Sequence, residues 1–276
     1  MSSQLKFYRK NLIDLDRVTA VTFEITDATA SNKGASFIDF VRNRSNNSGW
    51  ITTGSNDAAN TTIEMTFDGV ISIDTLILVK HNLKAYSIQY RNESDLSWTD
   101  FSTAVNVTGN SKNTTFHDFN SVNTTKIKLI ITGAQVVDAD KIISQIIVTR
   151  KILSGSFEGW PVLKKATVDL SKKAITTISG KAKILQRVGA YSVTMDFAVW
   201  PSNEDLDLVE SLHFSNPSGF LFWPSAGNEE QFRYKRIGFR DEDIFLCGVS
   251  SEWQPEWEQG IYVNGMNMRV SLVEII

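Results

Sequence analysis

From residue 36 to residue 150, apolar and polar side chains alternate in short runs: SFIDFV, TTIEMTF, IDTLILV, AYSIQY, SWTDF, TTFHDF, TKIKLIIT and KIISQIIVTR. In Ile63/Met65/Phe67, Tyr86/Ile88/Tyr90 and Ile127/Leu129/Ile131 the apolar residue recurs at every second position. That period puts one face of a strand in a core and the other in water. Asp68-Gly69, Arg91 to Asp95 and Gly109-Asn110 supply turn residues between the runs, so each pair of runs is expected to fold back as antiparallel strands. No stretch of comparable length keeps a helical period, and an antiparallel β-sandwich follows.

Beyond residue 160 the pattern is again strand-like in KATVDL, KAKILQ, AYSVTMDFAVW, GFLFW, QFRYKRIGF, DIFLCGV and MNMRVSLVEII. PSNEDLDLVESLHFSNPSG differs. Ser202 is placed as an N-cap with Asp205 three residues on, acidic residues fill the first turn, and Asn216-Pro217 ends the run. A helix over 203–214 is predicted, with Leu206, Val209 and Leu212 as its buried stripe. All five prolines lie beyond residue 160, while the first part is rich in Asn, Ser and Thr. KILSGSFEGWPV, with Gly155, Gly159 and Pro161, reads as a connection. The expected division is therefore a sandwich over 1–153 and a β-rich sheet or barrel with one helix over 154–276.

The chain has 276 residues, enough for two cores without covalent staples. With 42% hydrophobic and 21% charged residues it has the composition of an ordinary globular protein. The formal net charge of −3, with no block of Lys or Arg, lacks the footprint of a nucleic-acid binder. The N-terminal MSSQLKFYRKNLIDLDR has no uninterrupted apolar stretch, so neither a signal peptide nor membrane insertion is predicted, and synthesis in a cytoplasm is expected. Asn-x-Ser/Thr triplets begin at Asn43, Asn46, Asn60, Asn92, Asn106, Asn113 and Asn123 and read as a polar sheet surface. Cys247, the single cysteine, sits in IFLCGV as a small buried hydrophobe.

FIDFVRNRSNNSGWITTGSNDAANTTIEMTF, then ISIDTLILVKHNLKAYSIQY, then DKIISQIIV resemble the discoidin-like, galactose-binding-like sandwiches of bacteriophage tail and baseplate proteins. The match spans most of residues 10–150. GAYSVTMDFAVWPSNEDLDLVESL and WQPEWEQGIYVNGMNMRVSLVEI resemble, in the order of their elements, the ring-forming part of a tube, hub or distal-tail protein. The resemblance implies a jelly-roll sandwich carried by a tail-assembly domain. It implies a structural component of a phage or prophage tail tip, located in the virion, whose partners are other copies in a cyclic hexamer or trimer, other tail proteins and cell-surface carbohydrate.

A sugar site needs an aromatic face and a few fixed hydrogen-bonding groups. Arg42, Asn43, Arg44 and Trp50 bring these types together on one loop, and His81 and Lys84 flank the polar corner His81-Asn82-Leu83-Lys84 at a strand end. Two structural readings stand beside these: Asn82 closing a turn on its own backbone, and Trp50 packed inside the sandwich. Trp98 and Tyr90 offer a second platform, or cross-strand packing. Trp200 and Trp223, each beside a proline, with Trp253 and Trp257, are candidates for an oligomer interface. No cofactor is expected, and no catalytic or metal set. His81, His117 and His213 are scattered, and no nucleophile elbow or phosphate loop appears; Asp138 and Asp140 could ligate a structural calcium ion at a loop, though two acids in a loop are commonplace. Glu252, Glu256 and Glu258 alternate with Trp253 and Trp257, a mix open to a glycosidase cleft or to a solvated turn. A free-standing carbohydrate-binding module is the alternative to the tail protein, and a glycoside-processing enzyme the third reading.

Overall fold

The structure, a computed structural model, describes residues 5–15, 21–27, 38–44, 47–52, 60–157, 162–168, 172–176, 182–186, 190–197, 203–216, 218–224, 239–240, 242–253, 256–259 and 264–275. It is mainly β and its strand pairs are antiparallel. Two compact units divide it: Lys10–Lys151, and Met1–Arg9 together with Ile152–Ile276. The break lies two residues before the expected one. The first nine residues belong with the second unit, which the sequence reading did not anticipate.

Their strand, β1 (Lys6–Tyr8), explains this. Leu5 and Phe7 are fully buried, and β1 pairs with a strand more than 200 residues away, Phe7 opposite Phe222. Phe7 N–H also donates to Gly155 O at 2.8 Å, and Ile152 N–H to Phe7 O at 3.2 Å. The chain therefore leaves this unit at β1 and re-enters it beside β1, with the whole Lys10–Lys151 sandwich inserted between.

The sandwich holds β2 (Val21–Asp27), a 3-10 turn (Ile38–Arg42), β3 (Trp50–Ile51), β4 (Thr61–His81), β5 (Leu83–Arg91), β6 (Trp98–Val107), β7 (Thr115–Ala134) and β8 (Ile142–Thr149). Its strand order is β3-β8-β4-β7-β5-β6, with β2 also on β4. β4 and β7 are long enough to serve both layers. The first half of β4 pairs with β2 and with residues 126–131 of β7. Its second half pairs with β8 and with residues 115–124. The register slips between Thr66 and Ile71, where the pair passes from one layer to the other. One expected turn is thereby corrected: Asp68-Gly69 does not reverse the chain, and TTIEMTF and IDTLILV are one strand. TTFHDF and TKIKLIIT likewise merge into β7. Of SFIDFV, expected as a strand, the described residues 38–41 lie in the 3-10 turn, whose buried residues, Ile38 and Val41, are three apart.

Between the layers Ile63, Met65, Phe67, Leu76, Leu78, Tyr86, Ile88, Ile127, Leu129, Ile131, Ile146 and Val148 form one core. Every residue of this cluster comes from within 13–148.

In the second unit β9 (Val162–Val168), β12 (Ala190–Phe197), β13 (Phe220–Trp223), β14 (Phe245–Val249) and β16 (Asn264–Glu274) join β1 in the order β1-β13-β14-β16-β12-β9. β10 (Lys172–Thr176) pairs with β11 (Ala182–Gln186), and β15 (Glu256–Gln259) with β16. One helix, α1 (Asn203–Glu210), runs on into a π-type turn (Ser211–Ser215). Its buried stripe is Asp205, Leu208, Val209 and Leu212, the i, i+3, i+4, i+7 set, so Leu208 takes the place expected for Leu206. Asn216 closes the end by donating from Nδ2 to Ser211 O at 2.9 Å. Ser202 and the run at 231–238 lie outside the described residues. Among the described residues no helix is long and apolar enough to cross a membrane.

Candidate functional site

The polar corner is a structural joint. Asn82 does not bond its own backbone; its Nδ2 donates to Asp140 O at 2.6 Å and its Oδ1 accepts from Ile142 N–H at 2.8 Å. Gln135 N–H donates to Asn82 O at 2.8 Å. Asn82 thus ties the β4–β5 corner to the loop before β8. Asn110 ties it to the loop before β7, donating from Nδ2 to Leu83 O at 2.7 Å while its N–H reaches Lys84 O at 2.9 Å. The local bond expected of Asn82 is made by His81, whose Nδ1 accepts from Leu83 N–H at 3.1 Å.

His81 is buried, which removes it from the candidate contacts. Its Nε2 lies 3.0 Å from Thr115 Oγ1, and the same hydroxyl lies 2.8 Å from Tyr86 Oη, which in turn lies 2.9 Å from His117 Nε2. Burial and the neighbouring His117 lower the His81 pKa to about 4. Burial lowers that of His117 to about 4 against an opposing pull from Asp118. Tyr86 is pushed up to about 12, again by burial. Both imidazoles are therefore neutral near pH 7. Of the two corner candidates only Lys84 is exposed.

The loop before β3 is also occupied internally. Arg42 Nε lies 3.0 Å from Asp39 Oδ1, with its guanidinium 5.6 Å from the Phe23 ring centre. Arg44 donates from Nε to Asp14 Oδ2 at 2.7 Å, and Asn43 from Nδ2 to Ser48 Oγ at 2.9 Å. Trp50 is fully buried in the core, so it offers no ligand platform. An indole carries more apolar area than a loop position can leave in water.

A different surface has the composition a sugar site needs. On the outer face of the β2-β4-β7-β5-β6 layer, Glu24, Glu64, Lys128, Gln89 and Asp100 stand opposite one another in register across the strands. Gln89 Nε2 donates to Asp100 Oδ1 at 3.0 Å, and Lys126 pairs with Glu64. At the end of this row Trp98, opposite Arg91, lies half-buried with Lys128 Nζ 4.0 Å from its ring centre. Desolvation lowers the Lys128 pKa, partly offset by Glu64. Arg91 is held by Glu93 and Thr125. Thr125 also donates its N–H and hydroxyl to Glu93, which holds that carboxyl below the usual carboxylate range. The result is an aromatic face beside an amide, carboxylates and cations whose positions are fixed by strands and ion pairs. Tyr90 points inward and stacks near Phe101, with ring centres 5.0 Å apart. The expected pairing of Trp98 with Tyr90 as one platform is therefore corrected: strand parity places them on opposite faces.

In the second unit Trp223 is fully buried, a core residue and not an interface one. Trp253 is half-buried against His213 and Phe214, with ring centres 5.2 and 5.7 Å away. Trp200 and the side chains of Glu256, Trp257 and Glu258 lie outside the described residues. Cys247 is buried, which pushes its thiol well above the usual range. Among the described residues no three His, Cys, Asp or Glu converge as a metal site.

No protein-family model matches the chain, and no curated protein does. Among solved structures it is similar to a GH29 fucosidase from Ruminococcus gnavus in complex with fucose, at 14% identity and a TM-score of 0.41, covering 51% of this chain and 27% of that one. It is similar to chitosan-binding module 1 of a Paenibacillus chitosanase/glucanase at 15% identity and a TM-score of 0.39, covering 51% of this chain and 98% of the module. A family 32 carbohydrate-binding module of Streptococcus pneumoniae EndoD matches at 13% identity and a TM-score of 0.40, covering 51% and 100%. The chain thus spans about a quarter of the fucosidase, whereas the two modules are matched over nearly their whole length.

Proposed function

We propose that the Lys10–Lys151 sandwich is a non-catalytic carbohydrate-binding module whose contact surface is the outer sheet face around Trp98. One observation carries this reading: the in-register row Glu24, Glu64, Lys128, Gln89 and Asp100, ending beside a half-buried indole. The apolar side of a sugar ring packs on the indole, while its hydroxyls find donors and acceptors already held in place, so little side-chain freedom is lost on binding. The likeness to two carbohydrate-binding modules agrees with the reading, but their TM-scores of 0.39 and 0.40 do not carry it.

The test is calorimetric titration of the full chain with a panel containing fucosides, galactosides and chitosan oligosaccharides. Binding of at least one is expected, with Trp98→Ala weakening it by about tenfold or more, which corresponds to about 1.4 kcal/mol. Lys84→Ala is expected to leave the affinity unchanged. A panel without binding, or equal affinity in Trp98→Ala, overturns the proposal.

The tail-assembly reading of the second unit rests on the order of its elements. Of its four interface tryptophans Trp223 is interior, and none of the solved structures named above is a tail protein. Sedimentation showing a closed hexamer or trimer would support it.

A further inference from the structure

Beneath the corner four side chains form one line of hydrogen bonds whose direction is fixed at one end. Leu83 N–H donates to His81 Nδ1, so the proton of this neutral imidazole sits on Nε2 and is donated to Thr115 Oγ1. A hydroxyl has one proton to give. When each hydroxyl accepts one bond and donates one, Thr115 donates to Tyr86 Oη and Tyr86 to His117 Nε2. The Tyr86 ring packs edge-on against both imidazoles, at 6.0 and 5.6 Å.

Protonation of His117 turns its Nε2 from acceptor to donor. With the same one bond accepted and one donated at each hydroxyl, Tyr86 then donates to Thr115 and Thr115 to His81 Nε2. That nitrogen has to release its proton to water while Nδ1 takes one up, so the net gain is the single proton on His117. His81 now presents an N–H to the Leu83 N–H, and two donors face one another inside a buried turn.

We propose that this line is an acid-sensitive latch: a proton bound at His117 reverses it and releases the Leu83 turn, loosening the loops that the corner holds. Those loops are 108–114, where Asn113 O accepts from His81 N–H at 2.7 Å, and 135–141, held by Asn82. The charged groups around the line are few. Asp118 neighbours His117 and pairs with Lys151 at 3.2 Å, and it shares the single Thr75 hydroxyl proton with Asp74, at 3.1 and 2.8 Å. Lys80, Lys84 and Lys112 are exposed cations on β4, β5 and the 108–114 loop; Asp138 and Asp140 are carboxylates of the 135–141 loop. Lys141, at the start of β8, donates from Nζ to Thr61. None of these forms one of the line's own hydrogen bonds.

Imidazole nitrogen NMR and amide exchange on the full chain, from pH 7 down to pH 3.5, test the latch. The expected result is that His81 passes from the Nε2–H to the neutral Nδ1–H form as His117 becomes charged, while exchange at Leu83 rises at least tenfold above its intrinsic pH dependence. Thr115→Val cuts the line without changing shape. In that variant His117 still titrates, His81 keeps Nε2–H through the same interval, and Leu83 stays protected. Tyr86→Phe makes the same cut and serves if the first variant does not fold. Wild-type His81 passing straight from Nε2–H to the imidazolium, or equal Leu83 release in a cut variant, overturns the proposal.

Discussion

Asn82 makes both of its cross-loop bonds with the backbone of another segment, at 2.6 and 2.8 Å. Removing the amide leaves the Asp140 carbonyl and the Ile142 N–H without these partners, at a cost of about 0.5–1.5 kcal/mol per bond. Asn82→Ala is accordingly expected to lower the urea midpoint and to raise amide exchange in 135–142. Gly49 is a second such position. A Cβ there would stand 2.6 Å from Ile143 O and 2.9 Å from Ser144 Cα, backbone atoms of the strand that pairs with Trp50. Gly49→Ala should destabilise the sandwich by about 1–3 kcal/mol, the usual range for forcing a methyl into packed space, measurable by denaturant unfolding. Little of this was legible in the sequence. Asn82 and His81 were visible as corner residues, but which of them closes the turn depends on Asp140 and Ile142, nearly 60 positions away. Trp50 and Trp98 look alike as letters. Only strand register decides that one is core and the other surface.

At the scale of elements, the period-two alternation of Ile63/Met65/Phe67 and Ile127/Leu129/Ile131 fixed the strands and their inward faces, and the structure keeps both. It did not show that β4 and β7 each span two layers, because Asp68-Gly69 has the composition of a turn whether or not the chain reverses there. β1 was equally hidden: three residues give too short a pattern, and its partner Phe220–Trp223 lies at the other end of the chain. Deleting residues 1–9 should therefore destabilise the second unit, whose core contains Leu5 and Phe7 beside Phe157, Phe220 and Phe222. Two-probe unfolding is expected to show the transition of that unit shifted and that of Lys10–Lys151 unmoved. The His81 and His117 pair makes a prediction of its own. Both have folded pKa values near 4, below the unfolded value of about 6.5. Above pH 6.5 neither state holds these protons. Between about 6.5 and 4 the unfolded chain takes them up and the native sandwich does not, so stability falls across that interval and levels off below it. For buried His81 the loss approaches roughly 3 kcal/mol. His81→Phe should flatten part of that slope in thermal melts across the same pH range.

For the whole molecule, the informative feature is that, among the described residues, one buried core draws only on residues 13–148, while the other joins Leu5 and Phe7 to residues between Ile152 and Leu272. A fragment of residues 10–151 contains every member of its own core and should fold alone, with the two-state melting of a single domain.

The hydrogen bonds linking Phe7 with Ile152 and Gly155 mean that the sandwich enters and leaves its host through one narrow doorway. Such an arrangement makes the insert exchangeable: a short peptide bridging Arg9 to Ile152 would rejoin the host chain, and a different domain with adjacent termini would slot into the same gap. Replacement of the insert would therefore leave the strands that frame it undisturbed.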